Sequence, residues 1–296
     1  MPSQPPPHQD NRPYGWLLAG IGMLLVSTDA PFIRWADTDA RVMTGLVAVL
    51  SLPVYVAILA RRGLAGRWQN FRSMLLPYCV VAVVLGLCQL SFVAAINHTQ
   101  IANVVAIVAA GPVLAALGAW VFLGERTSAR VWFAIALTVT GIFIIIWPSL
   151  GQPSFRGNLL ALTAISFYIV ATLIFRRHPD MGRVFALTLA AVVTFLICSP
   201  GFVGAQIGAK VWLAAAGMGL LFNTIGRICM ASATRHAPSS DVALFFPVET
   251  VAATLWAWLF FSEMPSNQTL LGATVVIAGV LLGTVFNPDA RLVRAR

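Results

Sequence analysis

The sequence predicts an all-α integral membrane protein of ten transmembrane helices, built as two inverted five-helix repeats. Three observations lead there. First, 59% of the 296 residues are hydrophobic and only 10% are charged, where a soluble domain carries about 25% charge. Second, the apolar residues fall into ten runs of near-spanning length, since a helix needs about 20 residues to cross the hydrocarbon core. Third, one stretch occurs twice. Ala94–Gly141 (AAINHTQIANVVAIVAAGPVLAALGAWVFLGERTSARVWFAIALTVTG) aligns without a gap on Ser232–Gly279 (SATRHAPSSDVALFFPVETVAATLWAWLFFSEMPSNQTLLGATVVIAG), at an offset of 138 residues. His98 falls on His236, Trp120 on Trp258, Glu125 on Glu263 and Gly141 on Gly279.

Taken in order, residues 1–13 (MPSQPPPHQDNRP) are polar and Pro-rich and read as a disordered tail. One Arg precedes an apolar run with no small-residue cleavage site, so the start does not read as a signal peptide. Spans are expected near residues 14–36, 41–60, 74–96, 101–123, 130–148, 157–176, 182–203, 210–232, 240–261 and 267–286. Residues 287–296 form a second, basic tail.

The repeat extends upstream. Gly15–Arg34 (GWLLAGIGMLLVSTDAPFIR) aligns with Gly157–Arg176 (GNLLALTAISFYIVATLIFR) at an offset of 142. Residues 14–148 and 149–286 therefore form two halves of five spans each. Five is odd, so the second half enters from the opposite side and the halves are inverted. Glu125 is then expected on the cytoplasmic face and Glu263 on the outer one.

The net charge of +9 rests on eighteen Arg and one Lys. These lie between apolar runs, so they orient the chain in a bilayer rather than bind nucleic acid. With the N-terminus in the cytoplasm, fourteen basic residues fall on the cytoplasmic side and four (Arg34, Arg41, Arg156, Lys210) on the other, with Arg227 inside a span. That bias puts both termini inside.

The pattern of an apolar helix, then Leu123-Gly124-Glu125-Arg126, then a helix with Gly141 resembles the drug/metabolite transporter superfamily, and within it the ten-span EamA-type exporters. The chain is similar to bacterial aromatic amino-acid exporters. The second copy departs from the pattern: Ser262-Glu263-Met264 keeps only the acid. The resemblance implies a permease of the bacterial plasma (inner) membrane with both termini cytoplasmic. It also implies a central cavity lined by the first, third, fourth, sixth, eighth and ninth spans, with the fifth and tenth peripheral.

Ionisable groups inside a span cost about 2.5–3.5 kcal/mol on insertion scales and so mark candidate sites. Glu249 (ninth span) follows Pro247, which removes a backbone donor and is expected to kink its helix. It can attract a substrate amine or carry a proton, or be a neutral buried carboxyl. Arg227 (eighth span) suits a substrate carboxylate, an ion pair with Glu249, or snorkelling to the surface. Asp29 (first span) lies beside Pro31, either lining a cavity or at the outer end of its span, where Trp35 would be an interfacial anchor.

Neutral candidates are Gln89, Asn103, Tyr168 and Asn223; Asn223 and Arg227, four apart, share a helical face. Phe92, Phe245, Phe246 and the ring of Tyr168 could stack on a planar substrate or simply pack. Gly111, Pro112, Pro247 and Pro31 are candidate gating hinges. Gly279 and Gly283 form a G-x-x-x-G, suited to close approach by the fifth span or by another protomer.

No H-E-x-x-H, P-loop or G-x-S-x-G occurs, and the four cysteines have no metal spacing. The expectation is a permease without cofactor, working in the lipid bilayer as a monomer or weak homodimer. It would export a small molecule such as an amino acid by alternating access, with protons the candidate coupling ion. A channel-like facilitator and a lipid-modifying enzyme are the rival readings.

Overall fold

The computed structural model describes residues 12–62, 71–124, 129–178, 180–236 and 245–285. Among them the regular structure is all helical. The first apolar region is two helices, α1 (Arg12–Val26) and α2 (Asp29–Ala36), broken at Ser27–Thr28. Then come α3 (Ala40–Arg62), α4 (Leu75–His98), and an interrupted pair, α5 (Ile101–Val108) and α6 (Gly111–Leu123), followed by α7 (Ala129–Ile146). The second half holds α8 (Ser154–Arg177) and α9 (Arg183–Cys198). Next are α10 (Ala209–Ala216), a π-helical turn at Gly217–Phe222, α11 (Asn223–His236), α12 (Phe246–Phe261) and α13 (Asn267–Val285).

Six helical stretches among the described residues are long and apolar enough to cross a membrane: Pro13–Ala36, Ala40–Arg61, Leu75–His98, Ser154–Phe175, Arg183–Phe202 and Ala209–Met230. The other expected spans coincide with shorter apolar helices or, for 101–123, with the interrupted α5–α6 pair.

The most extensive packing joins α7 to α13, α4 to α8, α1 to α11 and α3 to α9; α5 packs on α12. Each of these pairs takes one helix from each half. In lipid the apolar effect does not hold helices together, so small residues that allow close approach must do it. The α7–α13 seam is built this way. A methyl on Gly141 would lie 2.8 Å from the Gly272 carbonyl oxygen and 2.8 Å from Val276. A methyl on Gly279 would meet the Ala134 carbonyl oxygen and Thr138. Subtracting 138 from 272 and 276 gives 134 and 138, so the seam reads the same from either helix. Gly279 therefore faces the fifth-span helix, which decides between its two expected partners.

A second repeat-related feature lies at two helix ends. Gly124 after α6 (φ 65°) and Ser262 after α12 (φ 54°) both adopt the left-handed conformation. They align at the 138-residue offset. Glycine adopts it freely and serine at a cost. The turn at Ser262 aims Glu263 back over the helix end, where its N–H donates to the Ala257 carbonyl. Glu125 lies outside the described residues.

Candidate functional site

Three helices bring a chain of polar side chains together at the middle of the bundle. Asp29 opens α2 and is only 3% exposed; Asn223 opens α11 and is 5% exposed. The Asn223 amide Nδ2 donates to Asp29 Oδ2. Its Oδ1 accepts from Arg227 Nε at 2.9 Å, and Arg227 Nη2 donates to Gln89 Oε1 on α4 at 2.9 Å. Both ends of the Asn223 amide are thereby used. Arg227 is held inward by two neutral acceptors, so it does not snorkel. Glu249, in the first turn of α12, and Asp29, Tyr55, Cys88 and Tyr168 all lie within electrostatic reach of the guanidinium. The α12 dipole also favours a carboxylate at that end.

The local folds explain the placement. The helix break at Ser27–Thr28 sets Asp29 at a helix start. Ser27 Oγ donates to the Leu24 carbonyl at 2.7 Å and accepts from Trp256 Nε1 at 3.1 Å, pinning the break to α12. On the eighth span, the π turn directly precedes Asn223. An added residue in a helical turn re-aims everything after it, which is why π turns gather at functional sites. Thr224 Oγ1 bonds back to the Gly219 carbonyl at 2.5 Å.

A cavity adjoins this chain between α3, α4, α9 and α11, lined by Thr44, Ser51, Tyr55, Gln89, Thr194, Asn223 and Arg227 among others. It is narrow, with room beside the polar chain for a few waters. Three buried polar atoms here have no hydrogen-bond partner: Asp29 Oδ1, Gln89 Nε2 and Thr44 Oγ1. Leaving such a group unpaired costs about 1–3 kcal/mol. An acceptor and two groups able to donate are thus available beside a fixed guanidinium.

The cavity corrects the expected lining. The second and seventh spans (α3 and α9) take part, because Ala48, Ala190 and Ala191 are too small to fill the gap between them. Thr44, Ser51 and Tyr55 were missed. Their spacing of seven and four on an apolar helix is the one-face signal that could have found them.

Other expected site residues go elsewhere. Asn103 Oδ1 accepts from Thr269 Oγ1 at 2.7 Å, joining α5 to α13 instead of facing the cavity. Phe92 packs on the main apolar core. Phe245 packs with Ala19, Met230 and Ala233, between α1 and α11. Tyr168, on α8, is 37% exposed but stays within electrostatic reach of Arg227 and so remains with the cluster. Pro247 stands in the first turn of α12, where its missing N–H costs nothing; residues 240–244, needed for a kink, lie outside the described residues. The side chains of Phe246, Pro247 and Pro112 are also outside them. Pro31 lies within the first turn of α2, after the break rather than at it, and the α5–α6 interruption directly precedes Gly111.

Known proteins match this architecture along nearly its whole length. The pattern of the EamA-like transporter family fits the chain twice, over residues 13–147 and 155–285. The chain belongs to the EamA-like transporter family. It is 24% identical over 276 residues to the pseudopaline exporter CntI of Pseudomonas aeruginosa (strain UCBPP-PA14), covering 90% of this chain and 94% of that one. It is 26% identical to a riboflavin transporter of Vibrio cholerae, over 90% of each chain. A riboflavin transporter of Rhizobium johnstonii is 27% identical, over 90% of this chain and 88% of that one. One solved crystal structure superposes with a TM-score of 0.64 at 17% identity, over 94% of this chain and 98% of the other, a likeness of fold. This EamA-like transporter is thus a membrane protein whose relatives carry small molecules.

Proposed function

We propose that the chain is a secondary transporter of the bacterial inner membrane that exports small zwitterionic metabolites, amino acids and aromatic ones among them. It works by alternating access between two inverted five-span halves, residues 14–148 and 149–286. The observation that carries this reading is the half-buried Arg227, held by Asn223 and Gln89 with the carboxylates of Asp29 and Glu249 within electrostatic reach. A planar guanidinium suits a substrate carboxylate, and a carboxylate suits a substrate amine. With both acids ionised, the cluster carries two negative charges and one positive. A zwitterion leaves that surplus unchanged, so a proton on one acid balances it and is the proposed coupling ion.

The helix pairing supports two equivalent halves. Exchanging each element for its counterpart turns α4–α8 into α11–α1, and returns α3–α9 and α7–α13 to themselves. The double family match supports the same division. The excess of basic residues on one side supports both termini in the cytoplasm, with the α2–α3 turn on the outer face. The relatives' names support export and small organic cargo.

The test is uptake and counterflow in proteoliposomes of the purified protein. The panel comprises labelled amino acids, riboflavin and pseudopaline, with and without a pH gradient. Saturable counterflow of a zwitterion, driven by the gradient, is expected. Flux without saturation or counterflow would make the protein a channel-like facilitator instead.

A further inference from the structure

We propose that Arg34 and Glu263 are the latch that closes the outer side of the transport path, and that α2 is the lever connecting this latch to the binding cluster. This rests on the transport reading above.

The latch joins the two halves. Arg34, in the last turn of α2, places Nε 2.7 Å from Glu263 Oε1, and its Nη2 donates to the Thr99 carbonyl at 2.6 Å. Glu263 Oε2 accepts the backbone N–H of Ile101 at 3.2 Å. Ile101 is the first residue of α5, and its N-cap Gln100 makes no side-chain cap. Glu263 thus supplies from the other half the acceptor that a buried helix start requires. One carboxylate bridges the α12–α13 turn, the end of α2 and the start of α5. The two side chains are 26% and 21% exposed, so water reaches them. An ion pair in that setting is strong enough to bias a conformation and weak enough to open.

The mechanical link is α2. It is eight residues long, with Asp29 of the binding cluster at one end and Arg34 in its last turn. It is separated from α1 by the break at Ser27–Thr28. The break and the helix are held at two points seven residues apart on each side: Trp256 of α12 on Ser27, in the break before α2, and Glu263, in the turn after α12, on Arg34. A ligand that draws Asp29 away from Asn223 tilts α2 about that break and strains the Arg34–Glu263 pair. Binding and outer opening would then be one movement, the differential contact that alternating access requires.

A readout independent of substrate is available. Ser51 lines the cavity, so Ser51→Cys, in a full-length chain with its four native cysteines changed to Ala, reports outer access to a membrane-impermeant maleimide on whole cells. Arg34→Gln and Glu263→Gln should each raise the labelling rate about 10-fold, and the double variant should fall well short of the about 100-fold that two independent effects would multiply to. Labelling unchanged in both single variants, each checked as monodisperse after purification, would overturn the latch. A double variant labelled at the full product of the two single effects would do the same.

A second arm covers variants that fail to fold. In proteoliposomes, Arg34→Cys with Glu263→Cys, bridged by a short cleavable bifunctional thiol reagent, should lose counterflow and regain it on cleavage. Counterflow at the parent rate in the bridged protein refutes the latch. Absence of counterflow in the unbridged parent would instead count against the transport reading, and labelling alone would then decide whether the pair seals this face.

Discussion

Gln89 and Arg227 are 138 residues apart and hydrogen-bonded, Oε1 to Nη2, at 2.9 Å. That separation equals the offset of the sequence repeat, so the two occupy equivalent positions in the two halves. A contact between equivalent positions lies on the axis that exchanges them. The position is shared, but the charge is not: one half supplies an amide and the other a guanidinium. The bundle therefore concentrates a single positive charge where its halves meet, and the polar cluster is asymmetric at positions that the sequence repeat makes equivalent.

Arg227→Lys tests the fork rather than the charge. An ammonium cannot reproduce the rigid arrangement that serves Asn223 through Nε and Gln89 through Nη2 at once. Losing one charge-assisted bond should lower counterflow about 10-fold, and Arg227→Gln should lower it further. Both proteins should stay folded, as judged by circular dichroism and size-exclusion profile. Parent activity in Arg227→Lys would reduce Arg227 to a generic counter-charge.

Glu249→Gln and Asp29→Asn remove one negative charge each while keeping the side-chain volume. If the acids take a substrate amine and a proton, each variant should lose export driven by a pH gradient by about 10-fold or more. The variant that retains solute exchange without a gradient would identify the proton site. Full gradient-driven export in Glu249→Gln would remove that residue from the mechanism.

The seam between α7 and α13 should be intolerant of added volume. A β-carbon at Gly279 would clash with the Thr138 hydroxyl and fall 3.1 Å from two backbone atoms, the Ala134 carbonyl oxygen and the Thr138 nitrogen, so turning the hydroxyl aside does not clear the site. Gly279→Val should cost about 1–3 kcal/mol and lower the melting temperature in detergent. Gly208→Ala, where nothing lies within 4 Å, is the matched control and should melt with the parent.

Asn103 should act on stability and not on transport. Its bond to Thr269 is an interhelical polar contact, of a kind that averages about 0.6 kcal/mol in a membrane. A double-mutant cycle with Asn103→Ala and Thr269→Val should return a coupling of that order, with counterflow kinetics unchanged. A raised KM in Asn103→Ala would return the residue to the binding site.

The readable part of this protein was whatever depends on periodicity and cost. Apolar runs gave the helices, because a chain in lipid must satisfy its own backbone. The 138-residue repeat gave the kinship of Gly141 with Gly279. The expense of burying charge picked out Asp29, Arg227 and Glu249, and the four-residue spacing of Asn223 and Arg227 put them on one helical face, where the structure joins them by a hydrogen bond. The same logic failed for Asn103, Phe92 and Phe245, because a polar or aromatic residue on a buried helix has several faces to turn to. Which face it turns depends on its neighbours.

By itself, then, the sequence determined a membrane-embedded, helical, twofold-repeated chain with a few costly charges at depth. These are properties of local composition and of spacing along one chain. Tertiary structure alone decided that Asn223 spans Asp29 and Arg227, that α3 and α9 help enclose the cavity, and that Glu263 caps α5 across the halves to meet Arg34. Each of those relations joins helices far apart in sequence. Their register is set by breaks and turns, such as Ser27–Thr28, the π turn before Asn223 and the left-handed Ser262, that have no periodic signature.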